Sequence, residues 1–113
     1  MNGATRIASL RAQCGGPRDG ALLRYALGDA LLEAGDAATA AEELRHALRF
    51  DARYSAAWKL LGKACLALDD RAAAAEAWRQ GMAVARERGD KQAEKEMQVF
   101  LRRVERAAGG SAA

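Results

Sequence analysis

The chain has a single histidine, His46, and a single proline, Pro17, among its 113 residues. With one histidine, neither a pair of histidine metal ligands nor a relay between two histidines can be assembled. The two cysteines, Cys14 and Cys65, show no metal-ligand spacing. No glycine-rich loop leads into the Lys-Ser or Lys-Thr pair of a phosphate-binding site. We therefore expect no catalytic residue, no metal and no cofactor, and the sequence does not predict an enzyme.

Long apolar runs are also absent. No stretch approaches the roughly 18–20 residues that span a bilayer, and the N-terminus lacks the roughly 7–15-residue apolar segment of a secretory signal. We therefore expect a cytoplasmic protein with no membrane partner. The 18 basic and 15 acidic residues leave a formal charge of +3, which is too balanced to argue for nucleic acid.

A repeat with an offset of 34 residues is the main positive feature of the sequence. Four pairs of positions at this offset carry identical or similarly apolar residues: Leu27 and Leu61, Gly28 and Gly62, Ala40 and Ala74, and Leu44 and Trp78. Self-similarity at such a period is the signature of stacked structural units. Apolar residues recur at helical spacing in 21–33 and 55–68, so each unit is predicted to begin with an amphipathic helix.

Turn signals divide each repeat into two helices. Gly35-Asp36 and Asp69-Asp70 follow the first helices, and each pairs a helix stop with an N-cap. New helices are therefore predicted to begin at about residues 37 and 71. Each repeat then becomes a helical hairpin, and helices of roughly 13 residues need packing against one another to be stable.

Two glycines stand inside the predicted first helices. Gly28 and Gly62 each cost about 1 kcal/mol relative to alanine in a helix interior. Close approach of the partner helix would offset this cost, with the Ala40 or Ala74 face pressed against the glycine backbone. The glycines thus predict the point of tightest contact in each hairpin.

A third copy follows at a changed spacing of 39 residues. The shift aligns four apolar residues of the C-terminal segment with the second repeat: Met97 with Trp58, Phe100 with Leu61, Leu101 with Gly62, and Val104 with Cys65. Because Leu101 replaces the small residue, the segment 90–107 is predicted to be a terminal capping helix. Residues 109–113 are expected to form a disordered tail. For residues 1–20, a short helix over 4–14 with Ile7 and Leu10 inward and a flexible segment both stay open.

The second copy resembles the tetratricopeptide repeat (TPR) pattern. It reads Trp58-x-x-Leu61-Gly62-x-x-Cys65 and then Ala74-x-x-x-Trp78, and the first copy follows it with Arg24 at the aromatic position. The resemblance covers repeats at 21–54 and 55–88 within a domain at 21–108. It implies an all-α fold of antiparallel helix hairpins in a right-handed superhelix, with the first helix of each pair lining a concave groove. Trp58 and Trp78 are both predicted to pack in the core.

The resemblance also implies which side chains face the groove. Carrying over the family's groove positions gives a predicted peptide-binding set of Leu22, Tyr25, Asp29, Lys59, Lys63, Leu66, Lys95 and Arg102. The four basic members would form a strip beside an apolar, aromatic end, and such a strip would attract an acidic or carboxylate-ended peptide. An ordinary solvated charged face explains the same residues. The family's clamp for acidic C-terminal tails matches this chain poorly.

Two functions follow from an array of this kind. The first is an adaptor that binds a peptide or protein segment in the concave groove. The alternative is a structural module that self-associates, since two full repeats fall below the roughly three that such arrays usually need. A remnant of a larger repeat scaffold is a variant of that alternative. The residues do not identify the partner or the pathway.

Overall fold

Six helices and no strand make up the described part of the chain in a computed structural model, which covers residues 2–112, with side chains up to residue 107. The helices are α1 (Gly3–Ala12), α2 (Ala21–Glu33), α3 (Ala37–Phe50), α4 (Ser55–Ala67), α5 (Arg71–Arg88) and α6 (Lys91–Ala112). The pairs α2 with α3 and α4 with α5 form two hairpins, and α6 packs on α5 and α4. This architecture confirms the predicted all-α, TPR-like array.

Aspartate side chains begin three of the helices. A carboxylate oxygen accepts a hydrogen bond from a first-turn backbone N–H at 3.1 Å in each case: Asp36 from Thr39, Asp70 from Ala73, and Asp90 from Ala93. Each bond satisfies an amide that has no partner within the helix, and the negative charge lies at the positive end of the helix dipole. The starts of α3, α5 and α6 are therefore specified locally.

The second hairpin closes where Trp78 of α5 lies against Gly62 of α4. A Cβ atom at Gly62 would overlap the indole ring. Trp78 is only 1% exposed, and its Nε1–H donates a hydrogen bond to the Lys59 carbonyl at 3.1 Å. The close approach at Gly62 was predicted, but the neighbour was expected to be the Ala74 face. The structure places the bulkier indole there, because the absence of a side chain leaves room for a whole ring.

At two further glycines, the missing side chain leaves space for a side chain of the neighbouring helix. A Cβ at Gly28 would lie 2.7 Å from Cγ of Leu44 in the first hairpin, and a Cβ at Gly81 of α5 would overlap Met97 of α6. At the α5–α6 contact the glycine is therefore on α5, and the large side chain, Met97, is on α6. This arrangement explains how α6 can carry Leu101 at the position of Gly62 and still pack closely.

The two tryptophans differ in burial. Trp78 is in the core as predicted, whereas Trp58 is only partly buried. The indole N–H of Trp58 donates to the Ala52 carbonyl at 2.8 Å, in the linker before α4. Trp58 therefore packs on the edge of the core and also ties α4 to the segment that precedes it.

Arg24 ties the start of α2 to the segment that precedes it, as Trp58 does for α4. Its guanidinium donates to both carboxylate oxygens of Asp19, at 2.8 and 2.9 Å, and to Glu43 of α3 at 3.1 Å. Asp19 also accepts from the Gly15 amide at 2.8 Å. The three charged side chains are 12–15% exposed. Arg24 thus replaces the usual aromatic residue with an ion-pair network that joins the linker, α2 and α3.

The ends of the chain complete the description. Residues 3–12 form α1, which contacts α2, and its Ile7 and Leu10 pack against the core. Helix α6 continues to Ala112, and residue 113 lies outside the described residues. The disordered tail expected at 109–113 stays a prediction. Extending a helix that is already packed avoids the cost of nucleation, and no proline stops it. None of the described helices is long and apolar enough to cross a membrane.

The contact at Gly62 yields a stability prediction. We expect Gly62→Ala to lower the free energy of unfolding by about 1–3 kcal/mol through overpacking against Trp78, although alanine is the better helix former. Chemical denaturation measures the change. In a Trp78→Leu background the loss should shrink, since leucine is smaller than the indole ring and more flexible. An equal loss in both backgrounds would mean that the indole is not what Gly62 accommodates.

The Arg24 network yields a pH prediction. The hydrogen bonds from Arg24 and the Gly15 amide hold the pKa of Asp19 far below its usual value. A carboxyl with a lowered pKa stabilises the fold above the unfolded value of about 3.9, and this contribution is lost as the pH falls below it. Thermal melts should therefore show Asp19→Asn less stable than wild type at pH 6, with the gap closing toward pH 2. A gap independent of pH would contradict the ion-pair account.

Candidate functional site

The first helices of the units lie side by side and form one continuous surface. Helix α2 contacts α4, and α4 contacts α6. We call the outer surface of these three helices the first-helix face. All eight predicted groove residues lie on these helices, so the question is which of them the fold brings together.

The α2 end of this face is apolar and aromatic. Leu22 is 73% exposed. The Tyr25 ring lies against that of Tyr54, with centroids 5.0 Å apart and planes tilted by 32°. Burial raises the pKa of both phenols above their usual value, so both are neutral at physiological pH. Asp29 lies at 4.0 Å from Arg6 of α1, which places its charge toward the N-terminal helix.

The two lysines of α4 contact α6. The Lys59 ammonium lies 3.1 Å from the Glu96 carboxylate, and the Lys63 ammonium lies 5.1 Å from the centroid of the Phe100 ring. The hydrogen bond from Lys59, followed by that from Gln92, lowers the pKa of Glu96. Lys59 is therefore charge-neutralised by a neighbour, whereas Lys63 packs on an aromatic ring and keeps its charge available.

The predicted strip of four basic residues stays a prediction. Among the described contacts, α6 meets α4 through Glu96 and Phe100, and Lys95 and Arg102 are exposed on α6. Successive residues of a helix are rotated by about 100°, so Lys95 leaves α6 in a different direction from Glu96. A binding role for Lys95 and Arg102 stays a prediction without support from these contacts.

A cavity of about 420 Å³ opens beside Lys63, between the last turns of α4, the start of α5 and the second half of α6. Its lining combines apolar and basic side chains: Lys63, Leu66, Arg71, Trp78, Phe100, Arg103, Val104 and Ala107. Only Lys63 and Leu66 of these were predicted as site residues. Trp78 was predicted to pack in the core and Phe100 was aligned with Leu61. A basic residue on an exposed helical face carries no signal of the cavity beside it.

Burial affects the ionisation of both thiols. It raises the pKa of Cys14 and of Cys65 above the usual value, which favours the protonated form. Sγ of Cys65 lies 3.7 Å from a guanidinium nitrogen of Arg45. Within residues 2–112, no group of three His, Cys, Asp or Glu side chains is placed to hold a metal ion.

Comparison with known proteins decides the family. A TPR repeat-containing protein of Pseudomonas aeruginosa is 58% identical to this chain over 89 residues, which are 79% of this chain and 85% of that protein. The chain belongs to the TPR repeat family. The solution structure of a Bordetella parapertussis protein is 44% identical, with a TM-score of 0.79 over 95% of this chain and 90% of its own. No protein-family model matches the chain.

Membership of the TPR family supports a general role as a helical scaffold for protein interaction. Within that role, the structure of this member separates two parts of the first-helix face. The α2 end presents Leu22 and a tyrosine pair, and the α4–α6 end presents Lys63 and the cavity beside it. The two ends differ in charge, so a bound segment would meet them with different side chains.

The contact between Lys59 and Glu96 can be tested by titration. We expect Lys59→Met to raise the pKa of Glu96 toward its usual value, because the largest stabilisation of the carboxylate is removed. Carbon-detected NMR titration of the glutamate carboxyls measures this. Lys95→Met serves as the matched control and should leave the Glu96 pKa nearly unchanged. A larger response to Lys95→Met would place Lys95, and not Lys59, against Glu96.

Proposed function

We propose that this chain binds a segment of another protein along the first-helix face and has no catalytic activity of its own. The observation that carries the proposal is the distribution of exposed apolar side chains. Three of the five large apolar residues exposed in the described part of the chain lie on first helices: Leu22 on α2, Leu66 on α4 and Val99 on α6. The other two lie at helix ends: Phe50 at the last position of α3, and Leu68 at the C-cap of α4.

Exposed apolar residues that recur on one surface have a physical cost, since each leaves apolar area in contact with water at about 25 cal/mol per Å². Burial by a partner would recover that free energy. The neighbouring Tyr25–Tyr54 pair adds two rigid, amphipathic rings of the kind that is enriched in protein interfaces. These features favour a protein segment over a small molecule, because they are spread along three helices.

The net charge does not favour nucleic acid, since 18 basic and 15 acidic residues nearly balance. Two ion pairs connect α6 to its neighbours: Lys59 of α4 with Glu96, and Arg79 of α5 with Glu105. An acidic partner would be met chiefly by the cations around the cavity, Lys63, Arg71 and Arg103.

Site-specific photo-cross-linking in the native cell extract tests the proposal. A benzoylphenylalanine introduced at Leu22 or at Val99 should capture the same protein, because both positions would lie under the bound segment. The matched controls are Glu42 on α3 and Glu87 on α5, which are exposed on the second helices and should capture nothing in common with them.

Two outcomes would contradict the proposal. Capture of one protein at Glu42 and Glu87 but not at Leu22 and Val99 would place the binding surface on the second helices. A product containing two copies of this chain would favour the alternative, self-association, and its dependence on protein concentration in analytical ultracentrifugation would establish it.

A further inference from the structure

The cavity between α4, α5 and α6 combines an apolar interior with a basic rim. Trp78, Phe100 and Val104 contribute its deeper apolar wall, and Leu66, 41% exposed, lies at its edge. A volume of about 420 Å³ is within the range of roughly 300–1,000 Å³ that is typical of ligand-binding pockets. The space is therefore sufficient for a bulky side chain supplied by a partner.

Three cations stand around the mouth, one from each helix. Lys63 lies on α4, Arg71 on α5 and Arg103 on α6, and no acidic side chain is among the described lining residues. All three are exposed. Arg71 has one weak ion pair, with Asp69 at 3.8 Å, and Arg103 has none among the described residues. Their charges are thus available to a ligand.

The arrangement also indicates how a ligand would lie. Lys63, Arg71 and Arg103 come from three different helices, so they border the apolar opening at different places. A chain that crosses the opening would place an apolar side chain in the cavity and meet a cation on either side of it. A chain that ended there would use the cations on one side only.

We propose that this cavity is the anchoring site for an acidic segment of the partner protein, in which one bulky apolar residue is flanked on both sides by Asp or Glu. The apolar residue packs against the wall formed by Trp78, Phe100 and Val104, and the flanking carboxylates pair with Lys63, Arg71 and Arg103. This inference rests on the proposed function and specifies the chemistry of the partner at one end of the first-helix face.

A synthetic peptide provides the probe. It is acetylated, amidated and labelled with fluorescein, and it carries a central leucine between two pairs of glutamates. Fluorescence anisotropy with the full chain should show binding that weakens as salt rises, because the exposed charges are screened. Replacing the leucine by serine, or the glutamates by glutamine, should weaken binding by about tenfold or more in each case, since each change removes one of the two contributions.

Charge reversal on the protein identifies the site. Arg103→Glu should weaken binding of the probe by about tenfold or more, because one attraction becomes a repulsion. Arg106→Glu makes the same change in charge on α6 at an exposed residue outside the cavity lining, and it should have little effect. Thermal melts of both variants verify that the fold is retained, since neither side chain is buried.

The indole N–H resonances give a second readout that does not depend on charge. The probe should shift the signal of Trp78, which lines the cavity, more than that of Trp58, which does not. The inference is wrong if the two arginine variants weaken binding equally, if the Trp78 signal does not respond, if the probe does not bind, or if a peptide ending in leucine with a free carboxylate binds more tightly. Photo-cross-linking at Leu22 and Val99 could still succeed in all these cases, so the proposed function would be judged separately.

Discussion

The packing of α4, α5 and α6 depends on one contact, that of the Trp78 indole with the backbone at Gly62. A helix gains nothing from an internal glycine except space, and here that space holds an entire indole ring. The ring is fixed in turn by its hydrogen bond to the Lys59 carbonyl. Because the indole lies close to the α4 backbone, α6 can pack on top of it. The Phe100 ring of α6 then contacts the Trp78 ring, with centroids 5.4 Å apart.

The same contact shapes the surface. Trp78 and Phe100 lie side by side between α4 and α6. An apolar cavity remains next to them at the end of the α4–α5 hairpin. The basic residues around it are on three separate helices, so the second hairpin and the capping helix must both be in place before the rim exists. Packing in the core and the character of the candidate site are therefore linked through one aromatic side chain.

Much of the architecture could be predicted from the sequence, because it depends on patterns that repeat. The offset of 34 residues and the aspartate caps located the hairpins, and Gly62 located the tightest helix contact. The predicted neighbour of Gly62 was wrong. Choosing between the Ala74 face and the Trp78 ring requires three-dimensional coordinates. Helix α6 ends at Ala112, beyond the segment 90–107 expected for the capping helix, because composition alone does not show how far a packed helix will propagate into weak helix formers.

The site was predicted less well than the fold. Lys63 and Leu66 line the cavity, and α6 contacts α4 through Glu96 and Phe100, neither of which was predicted as a site residue. A rotation of about 100° per residue separates Lys95 from Glu96, and the family alignment cannot resolve it at a terminal helix. The Arg24 network was likewise visible only as a departure from the repeat pattern, since its partners Asp19 and Glu43 lie on other segments.

Hydrogen exchange of the Trp78 indole N–H is the measurement that tests the central claim most directly. If the ring is locked between Gly62 and α6, its N–H should exchange only when the chain unfolds, with an opening free energy equal to that from denaturant unfolding. The Trp58 indole, at the edge of the core, serves as the internal comparison and should exchange through smaller openings. Exchange of Trp78 as fast as that of Trp58 would show that the indole is not held at Gly62, and the account built on that contact would be wrong.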